Sequence, residues 1–270
     1  MRSGLLKEWD RVRAAMVDQT LVELPTDPID FAYAVDLEPE DWQADILASD
    51  APRRIMNCAR RTGKSTVLGL ASIHRALTVP RSEVVIAAPS LDQAQVPFRM
   101  AVQFYRGMGR PIPAESEAQT MLRLMNGSSI RAIAAVERSK RGFQADLLCL
   151  EEVSRIPAEA IYGALLPSAS RGTGHILAAS TPNSKQGWFS DVWHGRDDLW
   201  HRVQVTIYES RYFIDNPEQV ERIRAALPEW FWRQEYLCEF VESQMSMFSE
   251  ALIERALELG EDVEALEDEW

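Results

Sequence analysis

The chain has 270 residues, a length that suits one α/β domain, with 46% apolar and 26% charged residues. That composition excludes wholesale disorder, a collagen-like repeat and a disulfide-stapled miniprotein. The net charge of −12 conceals a division, because residues 250–270 hold nine acids against one arginine while residues 51–141 hold fifteen Lys/Arg against five Asp/Glu. The overall sign reports an acidic tail. The basic stretch leaves two readings open, scattered solvated charge or a surface that handles phosphate. Cys58, Cys149 and Cys238 are too sparse for a disulfide framework and form no CxxC metal pair. They fit a reducing cytoplasm. No apolar run approaches the roughly 18 residues of a membrane span, and charges interrupt MRSGLLKEWDRVRAA where a signal peptide would be apolar.

Residues 1–37 are expected to be helical, with a Pro-containing link. From residue 54 short apolar runs alternate with helical patterns: strand RIMNC (54–58), helix 63–77, strand EVVIAA (83–88) and helix 90–105. Strands 121–125 and 128–135 flank Asn126-Gly127, a hairpin turn signal. ADLLCL (145–150), HILAAS (175–180) and RVQVTIY (202–208) are further strands, and helices at 217–227 and 228–240 each open on proline. Strands alternating with helices imply an α/β fold, a mainly parallel sheet flanked by helices. Most of Trp188, Trp193, Trp200, Trp230 and Trp232, with Phe231, are expected to pack rather than stack on bases, and the four histidines lack zinc spacing.

Between the first strand and its helix stands CARRTGKS: Cys58, Ala59, Arg60, Arg61, Thr62, Gly63, Lys64 and Ser65, followed by Thr66. This fits the phosphate loop G-x-x-x-x-G-K-[ST], with Cys58 in place of the first glycine. Backbone N–H groups and the helix N-terminus would face phosphates, Lys64 would reach the β/γ oxygens, and Ser65 would ligate Mg²⁺. LLCLEE (147–152) has the form of a Walker B strand. Glu151, where Asp is usual, would hold Mg²⁺, and Glu152 would act as general base. On local evidence alone they could be two exposed acids capping a strand. Gln43, upstream in a Trp-Gln segment, can turn its amide towards an adenine edge. Ser180 and Thr181 close a strand where hydroxyls can sense the γ-phosphate and couple hydrolysis to motion; a polar strand end is the plainer alternative. Arg138 and Arg141 lie on the basic loop RSKRG, an arginine-finger candidate or a solvated loop, and Arg60 and Arg61 compete for that role.

The succession of the Trp-Gln segment, CARRTGKS, AAPSLDQA, SKRG, LLCLEE, ASTP and FWRQEYLCEF, from about residue 28 to 243, resembles the ATPase domain of the large terminase subunit, the DNA-packaging motor of tailed bacteriophages. The resemblance implies a P-loop ATPase of the additional-strand, catalytic-glutamate type that uses ATP and Mg²⁺ to translocate double-stranded DNA. It further implies a homo-oligomeric ring on the portal protein of an empty capsid, the procapsid, and a small terminase subunit as partner, all in the host cytoplasm. On this basis the chain divides into a helical segment (1–36), the ATPase domain (37–243) and an acidic linker or tail (244–270). The family's RNase H-like nuclease is expected to be absent, since only 27 residues follow Ser243, and no DNA cleavage is expected of this chain. A helicase-like translocase and a nucleotide-sensing assembly protein with little hydrolysis are the alternatives. The second is favoured by the Cys58 and Glu151 departures.

Overall fold

The computed structural model describes residues 24–136, 144–169, 174–196 and 198–241. Eight strands form one sheet in the order β3-β4-β5-β2-β6-β7-β1-β8. They are β1 Arg53–Cys58, β2 Glu83–Ala88, β3 Ala114–Glu117, β4 Met121–Leu124, β5 Ser129–Ala134, β6 Leu147–Glu151, β7 His175–Ser180 and β8 Trp200–Val205. From β5 to β8 every pairing is parallel, and the β3-β4-β5 edge is antiparallel. The apolar runs of β2, β6 and β7 are buried almost throughout, as strands covered on both faces require.

Two short helices, α1 (Pro28–Ala34) and α2 (Asp41–Ala48), precede β1. The long helices α3 (Lys64–Thr78) and α4 (Leu91–Gly107) cover one face, where Leu68, Leu70 and Ile73 meet Phe98, Tyr105 and the β2 residues Val84 and Ile86. Phe31 of α1 enters this same core. The other face buries Ile55, Val85, Leu148 and Leu150 against a helical segment comprising α5 (Ala158–Ala160), a π-turn (Ile161–Leu165) and α6 (Leu166–Ala169), together with α7 (Trp188–His194). A third cluster joins Ile207, Phe213, Val220 and Trp232 from the chain around α8 (Arg211–Ile214), α9 (Pro217–Ala226) and α10 (Glu229–Tyr236). Trp188 packs edge-on against Trp200 and Trp232 stacks on Tyr236, so these rings serve packing. No helix among the described residues is long and apolar enough to cross a membrane.

The placement of β7 positions the site. It lies between β1 and β6, with Ser180 beside Asn57 and Ala179 beside Glu151. The carboxyl tips of all three strands therefore meet at one edge, where open α/β sheets bind ligands. Most expected boundaries shift by one or two residues, and two elements differ more. Strand β8 starts at Trp200 and stops at Val205 rather than spanning 202–208. Helix α10 stops at Tyr236 rather than 240, and Cys238 then takes a left-handed backbone (φ 59°) that no helix continues through. Strand β3 and the helices between 158 and 194 are additions to the elements read from sequence.

Helices α3 and α4 come into tight contact at Gly69. A Cβ built there would lie 2.7 Å from Met100 Cβ and 2.8 Å from the Pro97 carbonyl oxygen. Because one of those neighbours is backbone, Gly69→Ala should force the helices apart and cost about 1–3 kcal/mol, read as a lower midpoint in urea unfolding. An unchanged midpoint would contradict the tight crossing.

Candidate active site

The loop from β1 to α3 wraps its own lysine. Lys64 is 6% exposed, and its Nζ donates to the carbonyls of Cys58 (3.1 Å) and Ala59 (2.9 Å). Thr62 Oγ1 donates to the Ala59 carbonyl as well, at 2.9 Å. Left-handed backbone is needed at Arg61 (φ 62°) and Gly63 (φ 100°), not at Cys58. That explains why a cysteine is tolerated where the motif has glycine: the position needs no positive φ. The Cys58 thiol is buried, and burial pushes it up to about 12, so it remains a neutral packing group. Thr66 closes the first turn by donating its N–H to the Gly63 carbonyl.

Ser65 Oγ donates to Glu151 Oε1 at 2.7 Å, joining the α3 N-terminus to the tip of β6 across the intervening strand. Glu151 is buried, and burial pushes its carboxyl up to about 7, opposed by the Ser65 hydrogen bond. Its second oxygen, Oε2, is buried with no hydrogen-bond partner. A hard cation would satisfy that oxygen and hold the carboxylate ionised, so the pair Ser65 and Glu151 fits Mg²⁺ as an oxygen donor set. The next residue, Glu152, takes left-handed backbone (φ 50°), and its negative charge adds to the upward push on the Glu151 carboxyl.

Glu152 belongs to a wider charge network. Arg155 Nε lies 3.9 Å from Glu152 Oε2, and Arg155 Nη2 donates to Glu235 Oε1 at 2.9 Å. The other oxygen of Glu235 accepts from Arg60 Nε at 2.6 Å, and its carbonyl accepts the Arg60 N–H at 3.0 Å. Glu235 is fully buried on α10, so one carboxylate clamps a phosphate-loop arginine and the arginine beside the second acid. Arg60 also lies over the Phe231 ring, 5.8 Å from its centroid, whereas Arg61 is exposed.

Gln43 is buried on α2, and its Oε1 accepts the Glu40 N–H at 3.0 Å in a capping box. Its Nε2 lies 2.8 Å from where a Gly63 Cβ would be, so the amide rests directly on the phosphate loop. Ser180 Oγ donates to Ser154 Oγ at 2.8 Å and accepts the Ser154 N–H at 3.2 Å, tying the β7 tip to the turn that follows Glu152. Thr181 is buried beside it. Arg138 and Arg141 lie outside the described residues. The structure thus gathers Lys64, Ser65, Glu151, Glu152, Gln43 and Ser180 around one loop.

Residues 55–255 match the family described as terminase large subunit, T4likevirus-type, N-terminal. The chain belongs to this large-terminase family. The terminase large subunit of Thermus virus P23-45 is 27% identical over 246 residues, covering 78% of this chain and 50% of that protein. The chain therefore spans about half the length of the curated relatives it matches. Among solved structures, the large terminase ATPase domain of Thermus phage P74-26 superposes with a TM-score of 0.70 at 24% identity, over 78% of this chain and 98% of that one. The large terminase of another thermophilic bacteriophage, in complex with ATP-gamma-S, gives 0.61 at 14% identity, over 75% of this chain and 53% of that one. The expected P-loop α/β fold is the fold these terminases share.

Sequence reasoning missed Glu235, Arg155 and Ser154 as members of the terminase site. A signal for Glu235 was present: it stands three residues after the buried Trp232, on the inward stripe of an amphipathic helix where an acid needs a cationic partner. Glu235→Gln keeps the shape and removes the charge. Two charge-assisted hydrogen bonds to half-exposed arginines weaken, which should cost about 1–2 kcal/mol in urea unfolding. Loss below about 0.3 kcal/mol would mean the clamp is not held by charge.

Proposed function

We propose that this chain is the ATP-hydrolysing motor domain of a packaging terminase, translocating viral double-stranded DNA into an empty capsid. The observation that carries the proposal is the 2.7 Å bond from Ser65 to Glu151, formed where Lys64 and Glu152 flank it. The ATP-gamma-S bound by the large terminase of the second thermophilic phage supports the same reading.

In this mechanism Lys64 exchanges the Cys58 and Ala59 carbonyls for the β/γ oxygens of ATP, and the loop amides from Ala59 to Thr66 face the phosphates. Ser65 and Glu151 would hold Mg²⁺, which would supply positive charge to neutralise the phosphates. Glu152 accepts a proton from the attacking water as its oxygen bonds the γ-phosphorus and the bond to the bridging oxygen breaks, leaving ADP and phosphate. Gln43 reads the adenine edge. Ser180 and Thr181 couple the change at the γ-phosphate to the Ser154 turn. Arg60 is held by Glu235, which favours a finger arginine from a neighbouring subunit, with Arg141 first and Arg138 next. The assembly is a homo-oligomeric ring on the portal protein and procapsid with a small terminase subunit, in the host cytoplasm. The departures that favoured a non-hydrolysing sensor meet no geometric obstacle: Cys58 needs no positive φ, and the longer Glu151 reaches Ser65.

The direct test is ATP turnover of the chain alone and with linear double-stranded DNA and empty capsids. Turnover should rise when both are present; no turnover under any condition would overturn the proposal. Lys64→Ala should weaken ATP binding. Glu152→Gln should retain binding and lower turnover by about 10²–10⁴-fold, because an amide cannot take the water's proton. Full turnover by Glu152→Gln would remove that residue from its role. Mixing Arg141→Ala with Glu152→Gln subunits should restore activity if the arginine acts across a subunit boundary, whereas mixtures as inactive as either parent would place it elsewhere.

A further inference from the structure

The end of the sheet opposite the phosphate loop closes on a cavity of about 390 Å³. Its walls carry Arg54 from the start of β1, His175 from the start of β7, His74 and Arg75 from the last turn of α3, and Asp50 from the link before β1. Arg54 is 8% exposed; its Nη1 donates to the Ile46 carbonyl at 3.0 Å, at the C-terminal turn of α2. Its Nε is buried with no acceptor, and the Nε of Arg75 is buried with none either. Among the described residues neither guanidinium forms an ion pair. His74 is already engaged, with Nε2 2.9 Å from the Thr26 carbonyl and its ring edge-on to Phe31.

These groups stand close enough to act on one another. Burial, then the charge of Arg75, lowers the pKa of Arg54, with Cys149 acting in the opposite direction. Burial, Arg75 and Arg54 together hold His175 below its usual value. Two cations placed side by side, each with a buried N–H lacking an acceptor and with one carboxylate on the wall, form an uncompensated arrangement. An anion with several acceptor oxygens would resolve it, and guanidiniums match phosphate geometry through paired N–H donors.

We propose that this cavity binds a tetrahedral phosphate-type oxyanion between Arg54 and Arg75, with His175 alongside. The site is separate from the nucleotide site, since α3 alone spans about 22 Å between Lys64 and Thr78. The same chemistry can come from free phosphate or from the phosphate of a nucleic-acid backbone.

Histidine-selective NMR on the full chain tests this, with His175 assigned through a His175→Gln variant. The chain, in a Lys64→Ala background that disables the phosphate loop, is titrated with inorganic phosphate and, separately, with a short DNA duplex. Movement of the His175 resonance by phosphate supports a free-anion site; movement by the duplex alone supports a backbone-phosphate site. Arg54 caps α2, so its replacement can unfold the chain; the variant used is Arg75→Gln, with its melting checked. Arg75→Gln should weaken the interaction about tenfold, the loss of one charge-assisted contact. If neither probe moves His175, or if the response survives unchanged in a folded Arg75→Gln protein, the proposal is overturned.

Discussion

The site depends on a gap that the sheet itself imposes. Strands lie about 4.8 Å apart, so with β7 inserted between β1 and β6 the two outer tips stand roughly 10 Å from each other. Nothing on β1 can touch the acid of β6 directly. The loop from Cys58 to Gly63 crosses that distance and delivers Ser65, at the start of α3, to Glu151 at 2.7 Å. The intervening strand is used at the same time, because Ser180 at its tip bonds Ser154 just beyond Glu152. The acid pair, Ser65 and Ser180 meet because three parallel strands end together.

That arrangement places two adjacent glutamates in opposite environments. Glu151 ends a fully buried strand, and desolvation raises its carboxyl to about 7 with one oxygen unsatisfied. Glu152, one residue later, escapes burial through a left-handed turn and faces Arg155. The backbone cost of that turn is of the order of 1 kcal/mol for a non-glycine residue, and Glu152 still adds to the upward push on the Glu151 carboxyl. One dipeptide thus yields a buried carboxyl with an unsatisfied oxygen and a partly exposed carboxylate beside an arginine. The clamp by Glu235 adds a second layer, since it fixes Arg60 and Arg155 from a helix that belongs to the third hydrophobic cluster.

What the sequence disclosed and what it hid divide along physical lines. Apolar runs such as EVVIAA and HILAAS match β2 and β7 residue for residue, because a strand buried on both faces has no other composition available. The Asn126-Gly127 turn was legible because Gly127 needs φ 86°. Strand β3 was not, since Ala-Glu-Ser-Glu at an exposed antiparallel edge carries no apolar signal. The end of α10 was hidden for a related reason: Cys238 takes the left-handed conformation without a glycine to announce it. At the site, the contiguous loop and the acid pair were visible, whereas Glu235 and Arg155 meet only through tertiary contact across 80 residues.

Among the described residues, the basic side chains of the stretch from 51 to 141 differ in their partners. Arg60 is committed to Glu235, and Arg106 and Arg110 share Glu117. Arg54 and Arg75 stand at the far end of the sheet without acidic partners among the described residues. Three elements connect the two ends: β1 runs from Arg54 to Cys58, β7 from His175 to Ser180, and α3 from Lys64 to its last turn at Arg75. Each carries a group of the candidate active site at one terminus and a wall of the cavity at the other. Strands pinned in register on both sides and a helix packed on α4 move as bodies rather than bend. An anion held by Arg54 and Arg75, as proposed above, would rest on the same elements that carry Lys64 and Ser180 at their other ends.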